Sequence, residues 1–139
     1  MVRCLLRAGY FVTIWNRTHS KAQLLRAAGA QPAISIAQAV NGADVVISML
    51  EAGPIVAQVL QDALPALRPG AVWIDMSSTK QSEAQQFHAT LQAAGHAFVD
   101  APVSGGVGGA QAGTLAIMAG ASAGDYARVE AILAAMGSP

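Results

Sequence analysis

The sequence is short of charge. Only 12% of its 139 residues are Asp, Glu, Lys or Arg, and eight basic side chains cancel eight acidic ones. No Lys/Arg cluster occurs. A sequence-independent grip on nucleic acid needs several phosphate-facing cations, so nucleic acid is not an expected partner. Cysteine is confined to Cys4, which rules out an internal disulfide and fits a reducing, cytoplasmic setting. No apolar run reaches the ~18–20 residues that span a bilayer, and the start, Met1–Arg7, is too short in apolar residues for a signal peptide. Membrane association is therefore not expected. His19, His88 and His96 lack ligand-like spacing, so no metal site is expected, and no Gly-x-Ser-x-Gly elbow is present.

What is abundant is apolar residues, 53% of the chain. That suits a parallel sheet covered on both faces better than a linker or a disordered tail. Extended and helical patterns alternate along the sequence. Leu5, Leu6 and Ala8 read as a helix end closed by Gly9. Phe11–Trp15 reads as a strand, and Thr18 as the cap of a helix running to Gly29. Ala43–Met49, Ala71–Asp75 and Ala97–Asp100 read as buried strands, with Leu115–Met118 a further one. Pro54 opens one helix, Gly95 ends another, and Tyr126, Val129, Ile132, Leu133 and Met136 mark one face of the last. Strands separated by helices predict right-handed βαβ crossovers and an α/β, Rossmann-type, doubly wound, mostly parallel sheet.

Three stretches carry candidate chemistry. In a dinucleotide-binding fold the end of the second strand reads the adenosine ribose: an acid there favours NAD, and a nearby Arg accommodates the 2′-phosphate of NADP. Asn16, Arg17 and Thr18 supply an amide, a guanidinium and a hydroxyl at that place. On these residues alone, a capped turn with a solvated Arg is the competing reading. Five glycines fall between Gly105 and Gly113, just after Asp100-Ala101-Pro102-Val103-Ser104. Such a segment lets the backbone approach a ligand and suits a small carboxylate; a long flexible turn is the alternative. Asp75-Met76-Ser77-Ser78-Thr79 follows a strand end, where hydroxyls could meet a nicotinamide or cap the next helix. Met49 and Leu50 end another strand, as cofactor contacts or as core.

Together these segments resemble the β-hydroxyacid dehydrogenase family, which includes 3-hydroxyisobutyrate dehydrogenase, tartronate semialdehyde reductase and, more distantly, 6-phosphogluconate dehydrogenase. Asp100–Gly106, continued by Gly113-Thr114-Leu115, is similar to the family's substrate loop, and Trp15–Thr18, Ala43–Val46 and Ile74–Ser77 follow in the family's order. The resemblance implies an oxidoreductase that moves hydride between NADP(H), favoured over NAD(H), and a small hydroxyacid or semialdehyde. It assigns Asn16, Arg17, Thr18, Met49, Leu50 and Ser78 to the cofactor and Ser104, Gly105 and Gly106 to the substrate carboxylate. The alternative is a non-catalytic binding or scaffold module, or an inactive truncated product. One residue departs from the family: Glu51 stands where relatives often have Pro, an acid where phosphates are expected, which suggests a displaced loop.

The family pattern also predicts a domain, residues 1–139, short of its first strand and Gly-x-Gly-x-x-Gly turn and of a second, helical domain. That second domain would hold the general acid/base lysine and the homo-oligomer contacts. No catalytic residue is therefore expected within the chain; Lys21 and Lys80 fall in other segments. A chain of this extent is expected to be inactive alone and to fold poorly.

Overall fold

The computed structural model describes all 139 residues. Seven helices and eight short strands alternate: α1 Val2–Arg7, β1 Thr13–Ile14, α2 His19–Gln23, β2 Gln31–Pro32, α3 Ile36–Val40, β3 Val45–Ser48, α4 Gly53–Ala63, β4 Val72–Asp75, α5 Gln81–Ala93, β5 Ala97–Asp100, β6 Val103–Ser104, α6 Gly106–Ala112, β7 Leu115–Ile117, α7 Ala123–Met136 and β8 Gly137–Ser138. This is the expected α/β, Rossmann-type architecture. No helix is long and apolar enough to cross a membrane.

The centre is β3-β4-β5, parallel throughout and in register, with Val45 beside Val72 and Val72 beside Ala97. All four residues of β4 are buried, because helices cover both faces. Side chains alternate across a strand. Val72 and Ile74 therefore pack with Leu5, Val129, Leu133 and Met136 of α1 and α7. Trp73, from the intervening position, packs with Val56, Leu60, Phe87 and Leu91 of α4 and α5. Of the last helix's expected face, Val129, Leu133 and Met136 are buried, while Tyr126 and Ile132 are partly buried against the same cluster.

The parallel array is divided. β1 pairs only with β2, and β3 only with β4, so the order is β2-β1, a break, then β3-β4-β5. Val12 and Ile14 carbonyls accept from Gln31 and Ala33 on the β2 side. Asp44 and Ser48 carbonyls accept from Val72 and Met76 on the β4 side. In a parallel ladder successive peptides face opposite edges, so Thr13 on β1 and Val45 and Ile47 on β3 aim theirs into the break. Val12, Val45 and Ile47 nonetheless pack against one core cluster.

Three local expectations are corrected. Thr18 precedes α2 without a side-chain cap bond, and that helix stops at Gln23, followed by a 3₁₀ turn and Gly29 at φ 107°. Ser77–Thr79 do not cap α5; Lys80 is the residue that precedes it, its amide donating to Glu83 Oε1 at 2.8 Å. The glycine-rich segment is not a loose turn but a strand, β6, and a helix, α6. α6 is tied to α1: the Met1 ammonium donates to the Ala110 carbonyl at 3.2 Å, and Cys4 Sγ lies 3.4 Å from the same oxygen.

Candidate functional site

Parallel strands end together, so the loops after β3, β4 and β5 share one edge, where open α/β sheets bind ligands. Ser48, Asp75 and Asp100 are neighbours across that edge. Two buried hydroxyls knit it. Ser48 Oγ donates to Asp75 Oδ1 at 2.8 Å and accepts from Trp73 Nε1 at 2.9 Å. Ser77 Oγ accepts from the Leu50 amide at 2.9 Å, which fixes the loop after β3 to the loop after β4. Ser77 is fully buried and serves as a brace, whereas its neighbour Ser78 is exposed. Met49 is half exposed and Leu50 partly buried on the same loop.

The turn after β1 is shaped by its own side chains. Asn16 Oδ1 accepts from the Thr18 amide at 2.9 Å, an Asx turn, so that N–H is already engaged. Arg17 stands out from this turn, and Nη2 lies 3.4 Å from Glu51 Oε1. Arg17 and Glu51 each lie three residues beyond their strands, β1 and β3, so the pair bridges the mouth of the break. The acid of Glu51 meets the arginine.

Ser104, Gly105 and Gly106 leave the same edge beyond β5 and are all exposed. Gly105 has φ 137°, a backbone conformation that favours glycine, and an added Cβ would lie a tight 3.3 Å from Leu115 Cδ2. Gly106 has φ 64° and faces open space. No hydrogen bond joins these three residues to the Arg17 or Leu50 loops. Two other concavities lie away from this edge. One, of about 210 Å³, is lined by Asp44, Arg68, Gly70 and Arg128 near the amino ends of β3 and β4; the other, of about 340 Å³, lies between α4 and α5.

Residues 1–139 match the family profile described as the NAD binding domain of 6-phosphogluconate dehydrogenase. The chain is 40% identical over 140 residues to an NAD-dependent L-serine dehydrogenase of Pseudomonas aeruginosa, covering 99% of this chain and 47% of that protein. It belongs to the β-hydroxyacid dehydrogenase family. A 3-hydroxyisobutyrate dehydrogenase of the same bacterium is also 40% identical over 140 residues, with the same coverage. The solved structure of a 3-hydroxyisobutyrate dehydrogenase of Mycobacterium tuberculosis with L-serine superposes with a TM-score of 0.95 at 37% identity, over 97% of this chain and 46% of that one. The chain thus spans about half the length of these relatives.

Sequence reasoning missed the carboxyl pair behind the family's edge. Burial pushes the Asp75 carboxyl up from its ordinary range, against hydrogen bonds from Ser77 and Ser48 that pull it down. Asp100 is also raised, by burial first and then by the charge of Asp75. Asp75 Oδ2 is buried without a partner. A carboxyl raised by folding binds its proton more tightly in the native state, so stability falls as pH climbs above about 4, the unfolded value. Asp75→Asn keeps the shape and removes the titration. Urea melts at pH 4.5 and 7.5 should show a smaller difference between the two pH values for the variant than for the parent chain. An unchanged pH dependence would count against this assignment.

Proposed function

We propose that this chain supplies the cofactor- and carboxylate-recognising part of an NADP(H)-dependent dehydrogenase of small hydroxyacids or semialdehydes. The observation that carries the cofactor choice is Arg17, projecting from the Asn16–Thr18 turn beyond β1. A planar, permanently charged fork suits a 2′-phosphate. Asn16 presents an amide in place of the acid that would select a 2′-hydroxyl. Thr18 adds its hydroxyl at the same corner.

Met49 and Leu50 would line the dinucleotide groove, held in place by the Leu50–Ser77 bond, and exposed Ser78 would meet the nicotinamide end. Nicotinamide supplies the hydride acceptor or donor. Ser104, with the backbone of Gly105 and Gly106, would hold the substrate carboxylate and orient the reacting carbon. The open space over Gly106 leaves room for that approach. The proton-transfer step is given neither to Lys21, exposed on α2, nor to Lys80, the residue before α5. That step we assign to a lysine outside residues 1–139.

Relatives' names point to serine and 3-hydroxyisobutyrate. The test is NADP⁺ reduction by the full encoded protein that contains residues 1–139, offered L-serine, 3-hydroxyisobutyrate and close analogues. Ser104→Ala should raise KM for the acid about ten-fold, the value of a hydrogen bond to a charged group, with cofactor binding unchanged. Turnover of acids lacking the hydroxyl, or indifference to Ser104→Ala, would defeat the assignment.

A further inference from the structure

The acid that a ribose 2′-hydroxyl would need is absent from the end of β1, but a carboxylate reaches the same corner from another loop. We infer that Glu51 is a specificity-determining residue: it opposes the 2′-phosphate of NADP at Arg17 and offers an acceptor to the 2′-hydroxyl of NAD. The inference rests on the cofactor reading above and deepens it.

Four observations support it. Glu51 Oε1 reaches only Nη2 of Arg17, at 3.4 Å, a single long contact that leaves the rest of the guanidinium fork free. A phosphate can therefore bind Arg17 while Glu51 remains nearby as a like charge. Both side chains are about three-quarters exposed, 73% and 75%, so each is free to turn toward a ligand. The loop that carries Glu51 is anchored one residue earlier by the Leu50 amide on buried Ser77. That keeps the carboxylate beside the adenosine corner. Finally, Asp44 and Arg68 neutralise each other at the opposite end of β3, and no other ion pair accompanies these two. Arg17 has no alternative anionic partner in the chain.

The expected consequence is a modest NADP preference, tempered by Glu51. An exposed charge acts through water and is screened by salt, which limits the effect to a few-fold. The test uses the full encoded protein containing residues 1–139 and measures Kd for NADP⁺ and for NAD⁺ at 50 mM and 500 mM salt. Glu51→Gln should raise the ratio of Kd(NAD⁺) to Kd(NADP⁺) about three- to five-fold at low salt, with a smaller change at high salt. Glu51→Lys should raise it further. In the Arg17→Ala background, Glu51→Gln should weaken NAD⁺, since the acceptor for its 2′-hydroxyl is gone. Both residues are exposed, so neither change endangers the fold. If both cofactors bind and Glu51→Gln leaves the ratio unchanged, or moves both affinities equally, the role given to Glu51 is wrong. If the parent protein binds neither cofactor, the reading of the whole corner fails, and this inference with it.

Discussion

A polypeptide limited to residues 1–139 is expected to melt early and with low cooperativity, and to gain stability once one parallel strand is bonded between β1 and β3. The reason is the break in the array. Adjacent strands lie about 4.8 Å apart, and a position left open between two strands separates them by roughly 10 Å. The peptide groups of Thr13, Val45 and Ile47 then face one another across the break without a ladder partner. A buried polar group left unpaired costs about 1–3 kcal/mol, and water reaching the open edge lowers that figure. A domain has about 5–15 kcal/mol in total, so even a few such groups take a large share.

Fusing an apolar strand and a glycine-rich turn ahead of α1 should add about 3 kcal/mol, or roughly 10 °C in Tm for a chain of this size. Calorimetry of the two polypeptides decides it. A sharp two-state melt above about 65 °C for residues 1–139, unmoved by the fusion, would show that the break costs nothing.

The second large effect belongs to Arg17. Arg17→Ala should turn the modest preference for NADP into a preference for NAD, with a loss of about 10- to 100-fold in NADP affinity and little change for NAD. A hydrogen bond to a charged group contributes about 1.5–3 kcal/mol, and each 1.4 kcal/mol is ten-fold. Arg17→Lys should recover only part, because an ammonium keeps the charge but loses the planar fork. The loss should shrink as salt rises. Equal losses for both cofactors would mean that Arg17 supports the turn rather than reading the phosphate.

Much of this was visible in one dimension because the signals are local. The apolar runs of β4 and β5 declare strands covered on both faces, whereas Val45, Val46 and Ile47 of β3, expected to be buried, are only partly so beside the break; the spacing of Val129, Leu133 and Met136 declares the inward stripe of α7. Pro54 at the first turn of α4 was equally readable. The misses have a common cause in contacts between distant residues. α6 holds Gly106, Gly108 and Gly109, poor helix formers, and exists because its backbone is packed on Leu115 and held by Met1 and Cys4. β2 and α3, of two and five residues, are too short to leave a periodic trace.

At the site, Asn16, Arg17, Thr18, Met49, Leu50 and Ser78 lie in the loops beyond β1, β3 and β4, whereas Ser104 ends β6, Gly105 follows it and Gly106 opens α6. Their partners were hidden. Ser77 as a brace for Leu50, and Glu51 as the partner of Arg17, are pairings 27 and 34 residues apart that only the strand order creates. The raised carboxyls of Asp75 and Asp100 likewise depend on parallel register, which composition does not reveal.

The most direct test of the central claim is a titration of the ¹⁵N-labelled full encoded protein with NADP⁺, followed amide by amide. Binding at the carboxyl edge predicts the largest shifts at Asn16, Arg17, Thr18, Leu50 and Ser78. Shifts gathered instead at Asp44, Arg68, Gly70 and Arg128, at the opposite end of β3 and β4, would place the ligand elsewhere and contradict the account.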